Sequence, residues 1–151
     1  MTQEDKELLQ RDLCARLPYG VKIETEYFTK ATLVAIRKNI SYGARKDLLV
    51  TYDISGEETP YQSEERSSTI SKIKPYLFPL SSMSEEQKKY INDRWGVNED
   101  FDFEIDPNWG RYFVDLGDAV GFINWCYENH YDINGLIPRG LAEDATDKNI
   151  Y

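Results

Sequence analysis

Residues 31–53 read ATLVAIRKNISYGARKDLLVTYD, and this stretch decides the fold. Ala31 to Ile36 is an apolar, partly β-branched run, and Asp47 to Asp53 is another. Between them, Asn39 to Lys46 holds the Asn, Ser and Gly that favour a hairpin connection. Upstream, Val21 and Ile23 alternate with Lys22 and Glu24, which predicts a further strand. Downstream, the polar stretch Ser55 to Ser68 precedes Thr69 to Ile73, a β-branched run predicted as a short strand that stops before Pro75. The expectation is a meander of about four or five short strands over residues 20–74, with a turn-like PYLFP after it. Such a meander can form an ordinary antiparallel sheet on the first helix, a two-sheet arrangement, or an SH3-like barrel.

Helices flank this β region. Thr2 is a candidate N-cap followed by acids, Leu9, Leu13 and Leu17 recur every four residues, and Pro18 ends the pattern. Ser84 to Gln87 (SEEQ) is a capping box that predicts a helix to about Trp95, with Gly96 as its stop. A further helix is expected from near Asp118 through AVGFINWCYEN, with Val120, Ile123, Trp125, Cys126 and Tyr127 among its apolar positions. Asn134-Gly135 and Pro138 mark turns, and the last eight or so residues are expected to be mobile. The fold class is therefore α+β: residues 1–80 as a helix plus a small sheet or barrel, and residues 81–151 as a mainly helical, acidic part packed on it in one compact unit.

The charge is unevenly placed. The chain of 151 residues has a formal net charge of −9; residues 1–80 carry twelve acids and twelve bases, residues 81–151 fifteen acids and six bases. An acidic half does not neutralise phosphates, so nucleic acid and anionic membranes are poor partners for it. The N-terminus has neither the basic region nor the apolar stretch of a signal peptide, and no window reaches the length of a membrane span. A cytoplasmic protein with two reduced cysteines, Cys14 and Cys126, is expected.

The densest acidic run is Glu99 to Asp106 (EDFDFEID), where Phe101, Phe103 and Ile105 alternate with acids. As a strand, it would place Asp100, Asp102, Glu104 and Asp106 on one face. That face suits a protein partner with a basic surface; it also suits a solvated edge strand whose charges prevent edge pairing, or a hard cation held through oxygens. The EF-hand spacing is absent, and no metal or cofactor is assigned. Trp109, with Tyr112 and Phe113 nearby, serves either as core or as part of a binding patch.

Catalytic signatures are missing. No GxxxxGK[ST], GxGxxG or GxSxG occurs, and the single histidine, His130, rules out paired-histidine zinc sites. The enzyme alternatives are a carboxylate-based site or a Cys126/His130 pair, four residues apart on one helix face. His130 is otherwise expected to close a helix C-terminus with a partial positive charge. A nucleic-acid alternative uses the Arg37–Lys46 hairpin, where Arg37, Lys38, Arg45 and Lys46 flank Tyr42.

Three stretches, MTQEDKELLQRDLCARLPYGVK, IKPYLFPLSSMSEEQKK and INWCYENHYDINGLIPRGLAEDA, resemble a family of small uncharacterised proteins of gut Bacteroides genomes and their prophage-like elements. The resemblance implies an origin, a cytoplasmic protein carried by a phage or mobile element, and no activity, catalytic residue or cofactor. With that, the expected function is non-enzymatic: a protein-interaction protein, either an accessory or a host-directed inhibitor.

Overall fold

Thr2 and Asp5 start the first helix by capping each other: the Asp5 amide donates to Thr2 Oγ1 at 3.1 Å and the Thr2 amide donates to Asp5 Oδ2 at 2.9 Å. Two amide donors that a helix start leaves without partners are thereby satisfied, and α1 runs Gln3–Arg16. The computed structural model describes residues 1–38, 48–54, 65–98, 100–101 and 116–151. Leu9, Leu13 and Arg16, one helical face, are fully buried. Pro18 lies in the 3₁₀ turn Leu17–Tyr19 that ends the helix, as its sequence position predicts.

The sheet comprises β1 (Lys22–Glu24), β2 (Ala31–Lys38), β3 (Leu48–Asp53), β4 (Glu65–Thr69), β5 (Lys74–Leu77) and β6 (Glu143–Asp144), in the spatial order β4-β3-β2-β1-β5-β6. β1, β2 and β3 pair antiparallel in the expected order, β4 adds an edge strand beside β3, and β5 returns antiparallel beside β1. The β5–β6 pair is parallel.

A bulge in β2 keeps its side chains in phase. Leu33 pairs with Tyr52 and Ile36 with Val50, although three residues separate Leu33 from Ile36 and a regular strand would send them to opposite faces. The register shifts between Leu33 and Ala35, so Val34 is spent on the irregularity and is exposed, while Leu33 and Ile36 both reach the core.

Two strand expectations need correction. Thr69 to Ile73 is not a strand: Ile70–Lys72 form a 3₁₀ turn, and the strands lie on either side of it. β4 falls within the polar stretch because an edge strand needs few apolar residues, and its Ser67 hydroxyl meets Thr51 Oγ1 across the ladder at 3.2 Å. β5 begins one residue before Pro75, at the strand start where a missing amide is tolerated, so Pro75 to Leu77 of the PYLFP segment are strand rather than turn.

Ser84 and Gln87 form the predicted capping box on α2 (Glu85–Trp95), and Gly96 ends it at φ +65°. α3 spans Leu116–Glu128. These two helices enclose one core cluster, Met83, Ile91, Val97, Phe122, Cys126 and Tyr131. Trp95 lies so close to α3 that a Cβ on Gly121 would sit 2.5 Å from its Nε1, so the helix crossing requires glycine there.

The other cluster joins α1, the sheet and the chain's last part: Leu136, Leu141 and Ala142 sit with Leu9, Leu13, Ile23 and Val50. Asp132 makes this return possible, because its two carboxylate oxygens accept from the Leu136 and Ile137 amides, both at 2.8 Å, and turn the chain inward. The expectation of a mobile end is corrected on the same ground. Ala145 is fully buried and its amide donates to the Leu77 carbonyl at 2.9 Å, while the Tyr151 hydroxyl donates to the Tyr76 carbonyl at 2.8 Å.

Candidate functional site

Asp100 and Phe101 are the described part of the acidic run, and here the chain turns. The Asp100 amide donates to Asn98 Oδ1 at 3.0 Å, the Phe101 amide donates to the Asn98 carbonyl at 3.0 Å, and Phe101 has φ +64°. A left-handed residue breaks strand alternation at that point. Phe101 packs against the α2–α3 core, which is the inward role expected of the phenylalanines. Asp102, Glu104, Asp106 and Trp109 lie outside the described residues.

Asp100 borders an open cleft of about 490 Å³ whose other wall is one face of α2, Glu85, Lys88, Lys89 and Asn92. The cleft is therefore of mixed charge, with Lys88 held by Glu85 at 2.7 Å and Asn92 Nδ2 donating to the Val97 carbonyl at 3.2 Å. Arg37 is exposed near the end of β2, and the hairpin from Asn39 to Lys46 lies outside the described residues.

Cys126 and His130 do not form a nucleophile pair. Cys126 is fully buried, and burial pushes its thiol up to about 12, so it stays protonated at neutral pH, the reverse of an activated cysteine. His130 does follow the end of α3, but it closes the helix through its backbone, with φ +60° and its amide donating to the Tyr127 carbonyl at 3.2 Å. Burial first, and the nearby Arg16 guanidinium second, lower its imidazole to about 4. The expected positive charge is thus absent, and the neutral ring stacks on Tyr151 with centroids 4.1 Å apart.

Sequence reasoning missed the densest polar group, a buried node between α1 and the turn after α3. Arg16 donates to both oxygens of Asp12, from Nε at 2.7 Å and from Nη2 at 3.0 Å, with both side chains fully buried. Nη2 also donates to the Tyr131 carbonyl at 2.8 Å, Asn134 donates to Asp12 at 2.9 Å, and the guanidinium lies 4.9 Å over the Tyr127 ring. An Asp and an Arg four apart read as a solvated pair. Their place on the Leu9–Leu13 face was the available sign of burial. The node ties α1 to the chain's last third, with both Asp12 oxygens engaged by Arg16 and Asn134.

The outward face of α3 differs. Leu116, Val120 and Ile123 are 80%, 54% and 37% exposed, at spacings that put them on one stripe, while Phe122 and Cys126 face inward. Among the described residues, no group of three or more His, Cys, Asp or Glu could hold a metal ion, and no helix is long and apolar enough to cross a membrane. Compared with protein-family models, with curated proteins and with solved structures, the chain matches none. The fold and these surfaces define a class only: an α+β protein with an N-terminal helix, a six-stranded, mostly antiparallel sheet and C-terminal helices.

Proposed function

We propose that this is a non-enzymatic protein-interaction protein, carried by a phage or mobile element as an accessory or host-directed inhibitor, whose partner offers apolar residues within a basic surface. The observation that carries the reading is the exposed stripe Leu116, Val120 and Ile123 on α3, since a helix that leaves large apolar side chains in water on one face is suited to lay that face against another protein. α3 contains Asp118 and Glu128 and no basic residue, and the acidic run Asp100, Asp102, Glu104 and Asp106 precedes it, so a basic partner is the electrostatic match. An SH3-like sheet is part of the same proposal, supported by the order β4-β3-β2-β1-β5 with a 3₁₀ turn before β5. A thiol kept protonated by burial counts against the Cys126/His130 alternative.

The test uses a partner captured from lysate, identified and purified. Val120→Glu with Ile123→Glu is expected to weaken its binding at least tenfold with an unchanged circular dichroism spectrum, and reversing Asp100, Asp102 and Glu104 to Lys is expected to weaken it and flatten its salt dependence. Full affinity in the α3 variant sinks the docking face. Full affinity in the charge reversal sinks the basic partner.

A further inference from the structure

His130, the chain's single histidine, lies beneath the segment that ends the described chain. The Tyr151 ring stacks on it with an interplanar angle of 12° and also meets Phe78, centroids 5.8 Å apart. The Tyr151 hydroxyl donates to the Tyr76 carbonyl and accepts from the Lys22 amide at 3.3 Å. Further anchors hold the segment: Ala145 on the Leu77 carbonyl, Lys30 Nζ on the Asn149 carbonyl at 2.6 Å, and Lys148 Nζ 4.9 Å over the Tyr76 ring. Its strand, β6, has only two residues. A segment held by so few ladder bonds opens for less free energy than the whole fold.

The surroundings of the imidazole are unsuited to a second positive charge. Arg16 of α1 is the nearby cation, and its carboxylate partner Asp12 is already engaged on both oxygens. Cys126 of α3 is a neutral thiol, and the Tyr151 phenol, raised chiefly by burial, is neutral as well. Phe78, following β5, contributes an uncharged ring. Among the described residues, neither His130 Nδ1 nor Arg16 Nη1 has a hydrogen-bond partner, so an N–H at Nδ1 finds no acceptor there.

We propose that Glu143 to Tyr151 form a strap that is closed over a neutral His130 and released when that imidazole is protonated. The sign follows from proton uptake. In the closed state the ring titrates at about 4, and with the strap lifted it returns toward its ordinary 6.5, so between these values the open state binds the proton and the closed state refuses it. Closure is favoured most above pH 6.5 and weakens as pH falls toward 4. The full difference makes the opening equilibrium about 20-fold more favourable at pH 5 than at neutral pH. Opening uncovers the imidazole and the ring of Phe78.

Hydrogen exchange on the full chain tests this, read as opening equilibria after correction for the intrinsic pH dependence of exchange. Between pH 7 and 5 the Ala145 amide is expected to gain about 20-fold in opening, while Val50 in β3 keeps its protection. His130→Asn, which tolerates the left-handed backbone, is expected to lose that pH dependence whatever its baseline. Independently, Tyr151→Ala should move the imidazole titration, a single resonance set in this chain, upward from about 4. Equal Ala145 protection at both pH values, joint opening of Ala145 and Val50, or an unmoved titration in Tyr151→Ala would each overturn the strap.

Discussion

At the scale of single residues, Asp12 and Arg16 show how position alters the worth of one pair. An exposed Asp–Arg pair four apart contributes at most a few tenths of a kcal/mol; this one is fully buried, and leaving either charge without the other costs about 3–5 kcal/mol. Asp12→Ala and Arg16→Ala are each expected to destabilise by that amount in urea unfolding, whereas the joint change Asp12→Leu with Arg16→Met should cost less than the sum of the two. Additive losses would show that the two charges do not act as a pair. The cysteines give a second residue-scale prediction. Cys14 is exposed and Cys126 is buried with its thiol raised to about 12, so a thiol reagent at pH 8 should label Cys14 in the native protein and Cys126 only after denaturation. Rapid labelling of both in the native state would contradict the packing of α3.

At the scale of elements, what was legible depended on whether the structural cause is local. The caps of α1 and α2 were legible, because Thr2 with Asp5 and Ser84 with Gln87 bond within a few residues. β4 was not, since Glu65–Thr69 owes its strand state to β3 alongside rather than to its own polar side chains. The bulge at Val34 was equally hidden, being a compromise between Leu33 and Ile36 that only the partner strand reveals. For the candidate site, the sequence singled out the acidic run by its alternation, of which the described start is a turn, and missed the α3 stripe. Periodicity marks Val120, Ile123, Phe122 and Cys126 as one apolar helix, but only the packing against α2 separates inner face from outer. Phe122→Ala should therefore cost about 3–5 kcal/mol. Val120→Glu with Ile123→Glu should change stability by less than about 0.5 kcal/mol. A large loss from the second pair would mean that the stripe is covered. Gly121→Ala is expected to lower the melting temperature, because its methyl group would displace Trp95 from α3.

At the scale of the whole molecule, the neutral first half and the acidic second half share a core. Leu136, Leu141 and Ala142 complete the core under the sheet, β6 extends that sheet, and Arg16 reaches across to the Tyr131 carbonyl. A fragment of residues 1–80 is expected to lack a cooperative thermal transition, with calorimetry as the measurement. The full chain should unfold as one unit by probes of either part. A stable, cooperatively melting fragment would show that the sheet and α1 need no help from the rest.

The rings between α2 and α3 offer a way to watch one part of the protein alone. Trp95 and Trp125 lie 6.2 Å apart, with Tyr90 edge-on to Trp95 at 5.6 Å and Tyr131 stacked on Trp125 at 5.5 Å. Chromophores this close exchange excitation, so in a Trp109→Phe variant, whose remaining tryptophans are Trp95 and Trp125, near-ultraviolet dichroism and tryptophan emission should carry a signature of this junction, while α1 and the sheet contain no tryptophan. The protein thus comes with its own optical gauge of how its helices meet, readable without attaching a dye.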